Sequence, residues 1–500
     1  KKKKKNCGAS QVSTESCERM ATDPEAVTVR GCMKPDDLGF ILPHEHLIFN
    51  FQSRHQPPTT LGGASLQDAP ITLARLAEVR QRPLMVLQNL RSAPLPVLSA
   101  ELRACAAEAT SSHGCTVVDA TVGDGRSPTD LVALSEQTGV HIIMASGVPP
   151  RAVARVMAST TATTDDDPAI TLADSLVEEL NVGVGTGDSR VRAGLLSLGD
   201  TLRGCGQAQG VEYGCGSGVD AGQSGGDSFG EEYRLTLRAL AQAQMRTGAP
   251  LLCPLPPCHG EPDRAAESAS AALRLLVEGG ASAGAVIFGH AQHLLMGGRL
   301  VRQASGQAAD ELEPCRLLLR TGAALVFDGL GMGWSPVNAA WPHDQDEWAL
   351  PPPDDATARA TMALLAEGFA PQLLLSHAVS SQLQLLAMGG AGFCHLSRSF
   401  LPRLRWLGLS SEHERMLTRT NAARLFRWSR PAGPPARLMK QWTCTSCHRV
   451  FEEAVNPADV LSSDREYFEK FQFRYCGTTC LTAHRKANFV QPFAAPVPPK

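Results

Sequence analysis

Aromatic residues are scarce, at 5% of 500 residues with only four tyrosines, while alanine, glycine and leucine are plentiful. That balance suits an α/β fold built on close helix–strand contacts. Net charge is only −3, so it gives no argument for nucleic acid or an anionic membrane surface. No apolar run reaches the length of a transmembrane helix. The opening Lys1 to Lys5 run has no apolar core behind it and does not read as a secretory signal. The sequence also begins without methionine, so a trimmed or tagged start and a removed targeting segment both stay open. There is no Gly-x-Ser-x-Gly elbow, which removes support for a Ser-His-Asp hydrolase.

What is present is 43% hydrophobic and 19% charged, the composition of a globular protein with a large core and room for an appendage. Fifteen cysteines are spread along the chain, and only four group in a way that demands explanation. A reducing, cytoplasmic compartment is expected. Residues 1–26 read as a disordered tail. Beyond a Pro-, Gln- and Arg-rich stretch at 52–97, short apolar strands alternate with helices. The strands are Cys115–Ala120, Val140–Ser146, Val191–Leu198, Pro250–Cys253, Ala285–Phe288, Ala323–Phe327 and Gln372–Leu375. The helices include Leu98–Thr110, Pro128–Thr138, Leu172–Leu180, Glu231–Arg246, Arg264–Glu278, Gln307–Arg320 and Thr357–Glu367, with Ser411–Phe426 last. With one strand before Cys115 the count is eight. Eight such units favour a (β/α)8 TIM barrel over an open sheet. Insertions near 159–168 and 204–230 read as mobile loops. A Pro-rich linker, 429–441, precedes a compositionally different end.

The first strand carries the chemistry. Gly39-Phe-Ile-Leu-Pro-His44-Glu45-His46-Leu47 is an apolar run holding two histidines two residues apart. In a strand that spacing puts both imidazoles on one face and turns Glu45 away. Two neutral imidazoles at a strand end can begin a metal site; the plain alternative is two unrelated histidines near a surface.

The stretch around His44 and His46, with Val118-Asp-Ala-Thr121, Thr138-Gly-Val-His-Ile-Ile143, Ala241-Gln-Ala-Gln244, Gly389-Gly-Ala-Gly-Phe-Cys-His395 and Asn421-Ala-Ala-Arg-Leu425, resembles the phosphotriesterase-related branch of the amidohydrolase superfamily. The resemblance spans residues 27–428. It implies a barrel of the metal-dependent hydrolase type with two zinc-class ions at its mouth. The ligands it implies are His-x-His on strand 1, a lysine or glutamate on strand 4, one histidine each on strands 5 and 6, and an aspartate after strand 8. A bridging hydroxide would attack an ester, lactone or phosphoester.

Carried over residue by residue, His44, His46 and His290 match. Leu198, Pro254 and Ala378 stand where the bridging residue, the strand 5 histidine and the aspartate belong. The expectation is therefore a degraded binuclear site, with barrel metal absent or reduced to a single Zn2+. The expected role is a pseudoenzyme acting as a scaffold or protein-binding component of a larger assembly. The competing reading is an active hydrolase with a mononuclear site, completed by Asp200, Cys253, His259 or His377, with Cys258 also nearby. His141 is read as structural. Asp328, ending strand 7, is read as a backbone hydrogen-bonder with no chemical part.

The end of the chain carries Cys444-Thr-Ser-Cys447 and Cys476-Gly-Thr-Thr-Cys480, with 28 residues between the pairs. Four thiolates at this spacing close a tetrahedral zinc site over residues 442–490, with Trp442, Phe451, Phe473 and Tyr475 as a small core. The pattern is similar to FCS-like treble-clef fingers. His448 and His484 could each replace a thiolate. The His484-Arg485-Lys486 run could touch nucleic acid, though protein contact is the first expectation.

Overall fold

A computed structural model describes residues 25–58, 66–109, 114–123, 125–159, 167–185, 189–199, 229–255, 262–295, 311–332 and 352–428, and shorter pieces of 439–486. The chain divides into two units, 1–430 and 431–500. The first opens with a hairpin, β1 (Ala26–Thr28) and β2 (Gly31–Met33), paired antiparallel. Eight parallel strands follow: β3 (Phe40–Glu45), β4 (Cys115–Asp119), β5 (His141–Ser146), β6 (Leu195–Ser197), β7 (Leu251–Pro254), β8 (Val286–Gly289), β9 (Ala324–Phe327) and β10 (Leu373–Leu375). Each pairs with the next in chain order. The ring closes where the Ala378 N–H donates to His44 O at 3.0 Å and the His46 N–H donates to Val379 O at 2.9 Å. Closure leaves no open sheet edge, the solution expected of a TIM barrel.

Strand alternation sorts the apolar residues into two layers. Ile41, Val118, Ile143, Leu195, Leu252, Ile287, Val326 and Leu374 belong to an inner cluster. Leu42, Val117, Ile142, Leu196, Leu251, Phe288, Leu325 and Leu375 pack in a larger cluster with the helices. Burying one such side chain is worth about 1.5–3 kcal/mol, so this double layer holds the rim that carries the site.

The helices begin and end where local chemistry dictates. For Pro128–Thr138, the Ser127 hydroxyl caps the Asp130 N–H, Pro128 takes the first turn, and Gly139 ends it at φ 76°. Glu231–Thr247 has two glutamates in its first turn, Arg246 in its last and Gly248 beyond, at φ 73°. Some elements differ from expectation. A helix at Pro150–Ser159 was not read from the sequence. The expected strand Val191–Leu198 shrinks to Leu195–Ser197, and Val191 pairs instead with Val184 in an isolated antiparallel bridge. The last helix is found as expected, continuous over residues 411–425, with a wide π turn at Met416–Thr420 inside it.

The second unit shows two antiparallel hairpins, β11 (Met439–Thr443) with β12 (Val450–Ala454), and β13 (Phe468–Lys470) with β14 (Phe473–Tyr475). In register, Trp442 is paired with Phe451 in the first and Phe468 with Tyr475 in the second. No helix among the described residues is long and apolar enough to cross a membrane. The terminal tail to residue 24, the linker at 429–438 and most of the two expected insertions lie outside the described residues.

Candidate metal centre

Strict alternation would place Leu42, His44 and His46 on one face. Instead the register of β3 against β4 shifts between Leu42 and Glu45. Pro43 sits in that irregularity, where a residue without an N–H is tolerated. The shift lets Leu42 pack outward while His44 turns to the mouth, where its ring lies 5.0 Å from His290 and 5.4 Å from His46, centroid to centroid. All three histidines are buried.

Asp328, at the end of β9, organises this group. Its Oδ2 accepts the Nδ1–H of His44 at 2.6 Å and the backbone N–H of His290 at 2.8 Å, and its Oδ1 accepts the Nδ1–H of His290 at 2.7 Å. Burial works to raise the Asp328 pKa, but the imidazoles of His290 and His44 outweigh it and hold the carboxyl well below the usual range. Burial also lowers the pKa of His44 against the pull of Asp328, so that ring is neutral. A neutral imidazole that donates through Nδ1 has a bare lone pair on Nε2. His44 Nε2 is buried and has no hydrogen-bond partner.

An imidazole fixed by a carboxylate at one nitrogen and bare at the other is the usual form of a metal-ligating histidine. Among the described residues, His44, His290 and Asp328 bring donor atoms within 4.8 Å of one another and fit a metal ion; His46 does not belong to that group. The expectation that Asp328 merely satisfies loop backbone is corrected, because it positions two rings. Its place at the carboxyl end of a barrel strand was the signal available in the sequence. His46 is anchored separately, with Nδ1 at 3.1 Å from Thr121 Oγ1. Nearby Asp119 accepts the Thr121 N–H at 3.0 Å, and its other oxygen is buried without a partner. Burial raises the Asp119 pKa.

Gly289 makes room for the group: a Cβ there would lie 3.0 Å from His44 Nδ1 and 3.3 Å from Asp328 Oδ2. His290 follows it at φ 56°, a left-handed conformation that costs a non-glycine residue about 1–2 kcal/mol. Such strain persists where surrounding structure enforces it, commonly at functional sites.

The proposed rescue ligands fare differently. His377 is excluded: its Nδ1–H donates to Glu45 Oε1 at 2.9 Å, and its Nε2 accepts the Leu396 N–H at 2.9 Å. Glu45 does turn away from the histidines and also accepts from Ser376 Oγ, His377 N–H and Val379 N–H, tying the first strand to the last. Cys253 is excluded too, since it packs in the outer cluster and burial pushes its thiol up to about 12. Asp200, Cys258 and His259 lie outside the described residues, as do Cys444, Cys447, Cys476, Cys480, His448 and His484. His141 sits at the start of β5, the opposite end of the barrel, with Nδ1 3.2 Å from Arg30. At the other positions where the resemblance expects ligands, Leu198 is buried just past β6, Pro254 ends β7, and Ala378 follows β10 at φ 49°.

Residues 24–426 match the family model described as the phosphotriesterase family. The chain belongs to that family. Residues 439–492 match a second model, the Vms1-associating treble clef domain. Among curated relatives, the "N-acetyltaurine hydrolase" of Rattus norvegicus is 26% identical over 77% of this chain and 92% of its own length. The "Phosphotriesterase-related protein" of Nematostella vectensis is 25% identical over 78% and 95%. Among solved structures, a resiniferatoxin-binding protein from Rhodobacter sphaeroides aligns with TM-score 0.59 and 28% identity, over 80% of this chain and 94% of that one. The hydrolase names among the relatives give no support to the expected pseudoenzyme.

Proposed function

We propose that the phosphotriesterase-family barrel is a metal-dependent hydrolase of an acyl bond that works with one ion. The carrying observation is the neutral His44 imidazole, pinned through Nδ1 by ionised Asp328 and left with a buried bare Nε2. His44 and His290 would hold the ion, with His46, whose ring lies 5.4 Å from that of His44, as the third imidazole of a set that suits zinc with an open position. Asp328 acts through two of those rings and fixes their tautomer and orientation. When bound, an ion of this class lowers the pKa of a water and polarises a carbonyl oxygen. Asp328 holds the Nδ1 side of both His44 and His290, and burial, against the pull of Asp328, lowers the His44 pKa and so favours its bare Nε2. Buried Asp119, beside Thr121 and His46, keeps a carboxyl oxygen without a partner on the same rim.

N-acyl amides are the first substrate class to test, because relatives covering most of the barrel carry the name N-acetyltaurine hydrolase; esters and lactones come second. Metal-loaded full-length protein is expected to release acetate from N-acetyltaurine and to stop on chelation or His44→Ala. Absence of turnover on every amide, ester and lactone by fully loaded protein would overturn the reading. The scaffold reading keeps one specific support, the apolar residues Leu198, Pro254 and Ala378 at three family ligand positions. For the C-terminal unit we infer a structural zinc on Cys444, Cys447, Cys476 and Cys480, and a surface for protein partners. Loss of one zinc with Cys476→Ser tests the first part.

A further inference from the structure

Between β3 and the helix Leu95–Glu108 the chain leaves the barrel rim and returns to it through one narrow neck. There the Phe51 N–H donates to Leu90 O at 2.7 Å, the Ser92 N–H donates to Phe49 O at 3.0 Å, and Asn50 pairs with Arg91 in an antiparallel bridge. The Gln56 N–H extends the pairing to Leu84 O at 3.1 Å. The neck touches the site, because the Phe51 ring meets the His46 ring edge-on at 5.4 Å. Past the neck, Leu66, Ala69, Ile71, Leu76, Val79 and Val86 form a small core separate from the two barrel layers, and Leu383 joins it from the loop after β10. A satellite cluster under a long connection can open while the main core stays closed.

Two side-chain amides tie this unit to the loop. Gln88 Oε1 accepts the Ile71 N–H at 3.0 Å inside the unit, and its Nε2 donates to Gln382 Oε1 at 2.9 Å. Asn89 Nδ2 donates to Pro83 O at 3.1 Å inside the unit, and its Oδ1 accepts the Leu383 N–H at 2.9 Å. Gln382 donates in turn to Arg91 O and Ser92 O at the neck, at 3.2 and 3.3 Å. Arg80 adds an exposed bond to Gly389 O at 2.6 Å. Each amide has one end in the unit and one on the loop, so the loop-side bonds can break while the unit keeps its own. Such bonds exchange for bonds to water at small net cost.

We propose that residues 66–89 are a hinged cap at the barrel mouth. The cap swings as one body about the neck at Phe49–Phe51 and Leu90–Ser92, and Gln88, Asn89 and Gln382 are the latch that holds it shut. Its two attachments follow β3 and β10, strands that meet where the ring closes, and both lie at the carboxyl ends that carry the histidines. Hinges of this kind confine a large motion to a few residues at the ends of elements. Opening admits solvent and substrate on the His46 side of the mouth. The motion stands without the hydrolase reading, while the use of the cap as a substrate gate rests on it.

Hydrogen exchange of the full-length, metal-free protein, followed by mass spectrometry, reads the cap, and labelling of His46 by diethyl pyrocarbonate reads the gate. In wild type, the amides of 66–89 are expected to exchange together and faster than those of β3 and β4. Gln382→Ala cuts the latch from the loop side. It should speed both the exchange of 66–89 and the labelling of His46 about tenfold, with β3 and β4 unchanged. The proposal is overturned if 66–89 opens only together with β3 and β4, if Gln382→Ala leaves its exchange unchanged, or if His46 labelling does not follow faster exchange. Should Gln382→Ala melt far below wild type, Arg80→Gln decides on the same two readouts. That variant removes the exposed bond to Gly389 O, and about a threefold rise is expected. Failure of the hydrolase reading looks different: no turnover by loaded protein, with cap opening and His46 labelling still dependent on the latch.

Discussion

The rim positions of the barrel mouth divide into two halves of opposite chemistry that interleave around the ring. In the donor half, β3, β8 and β9 present His44, His46, His290 and Asp328, with Asp328 joined to His44 and His290 by short hydrogen bonds. In the other, β6, β7 and β10, the last lying between β9 and β3, lead to Leu198, Pro254 and Ala378, all without a donor side chain. Yet Ala378 keeps a left-handed φ of 49°, close to the 56° of His290. For Ala378 no side-chain hydrogen bond or ligand offsets that conformation. The backbone at this rim is thus set by closure of the barrel, through Ala378 N–H to His44 O, and needs no donor side chain. The lesson is that backbone strain alone does not mark a ligand, and only the donor atoms show that one is there.

The comparison breaks most visibly at His44. His44→Ala is expected to abolish barrel metal and acyl hydrolysis together, whereas Leu198→Ala should leave metal content unchanged. Turnover that survives His44→Ala would dissolve the difference between the halves. Asp328→Asn comes next. As a positioning residue it should cost about 10- to 100-fold in metal affinity, read by competition with a chelator; complete loss of the ion would make Asp328 a direct ligand instead.

Acid should attack the donor half in two steps in metal-free protein. His44 has a folded pKa below its unfolded value of about 6.5, so the unfolded state binds more protons and stability falls as pH drops below that value. Asp328 has a depressed folded pKa, so its contribution is complete above about pH 3.9 and is lost as pH falls through its folded value. Chemical denaturation from pH 7.5 to 5 should show the first decline, and His44→Gln should flatten it. A wild-type profile already flat across that range counts against a neutral His44.

Gly289→Ala places a methyl against His44 and Asp328 without removing a donor, and about a tenfold loss of metal affinity is expected. The smallest effect belongs to the other half. Ala378→Gly relieves a left-handed residue and should stabilise the metal-free barrel by up to about 1 kcal/mol, after the entropy of glycine is subtracted. Destabilisation there would mean that the Ala378 Cβ packs usefully.

Much of the scaffold was legible because its strands are short apolar runs between well-capped helices, as at Pro128–Thr138. His44 and His46 could be named from their spacing on the first strand, and His290 from the family resemblance. Asp328 could not be given its role, since a carboxylate at a strand end bonds backbone or ring nitrogens with equal ease until the strands are arranged. Cys253 and His377 looked available for the same reason. One faces the helices and the other is used up by Glu45 and Leu396, facts of register and long-range contact that local sequence does not encode. The shift at Pro43, which decides where His44 points, is likewise a property of the pair β3–β4.

The most direct measurement is the metal content of the purified full chain by elemental analysis, with and without His44→Ala. One barrel ion and one treble-clef ion predict two zinc per wild-type chain and one in the variant, with the remaining ion lost on adding Cys476→Ser. One zinc per chain, indifferent to His44→Ala, would contradict the single-ion barrel, and so would three.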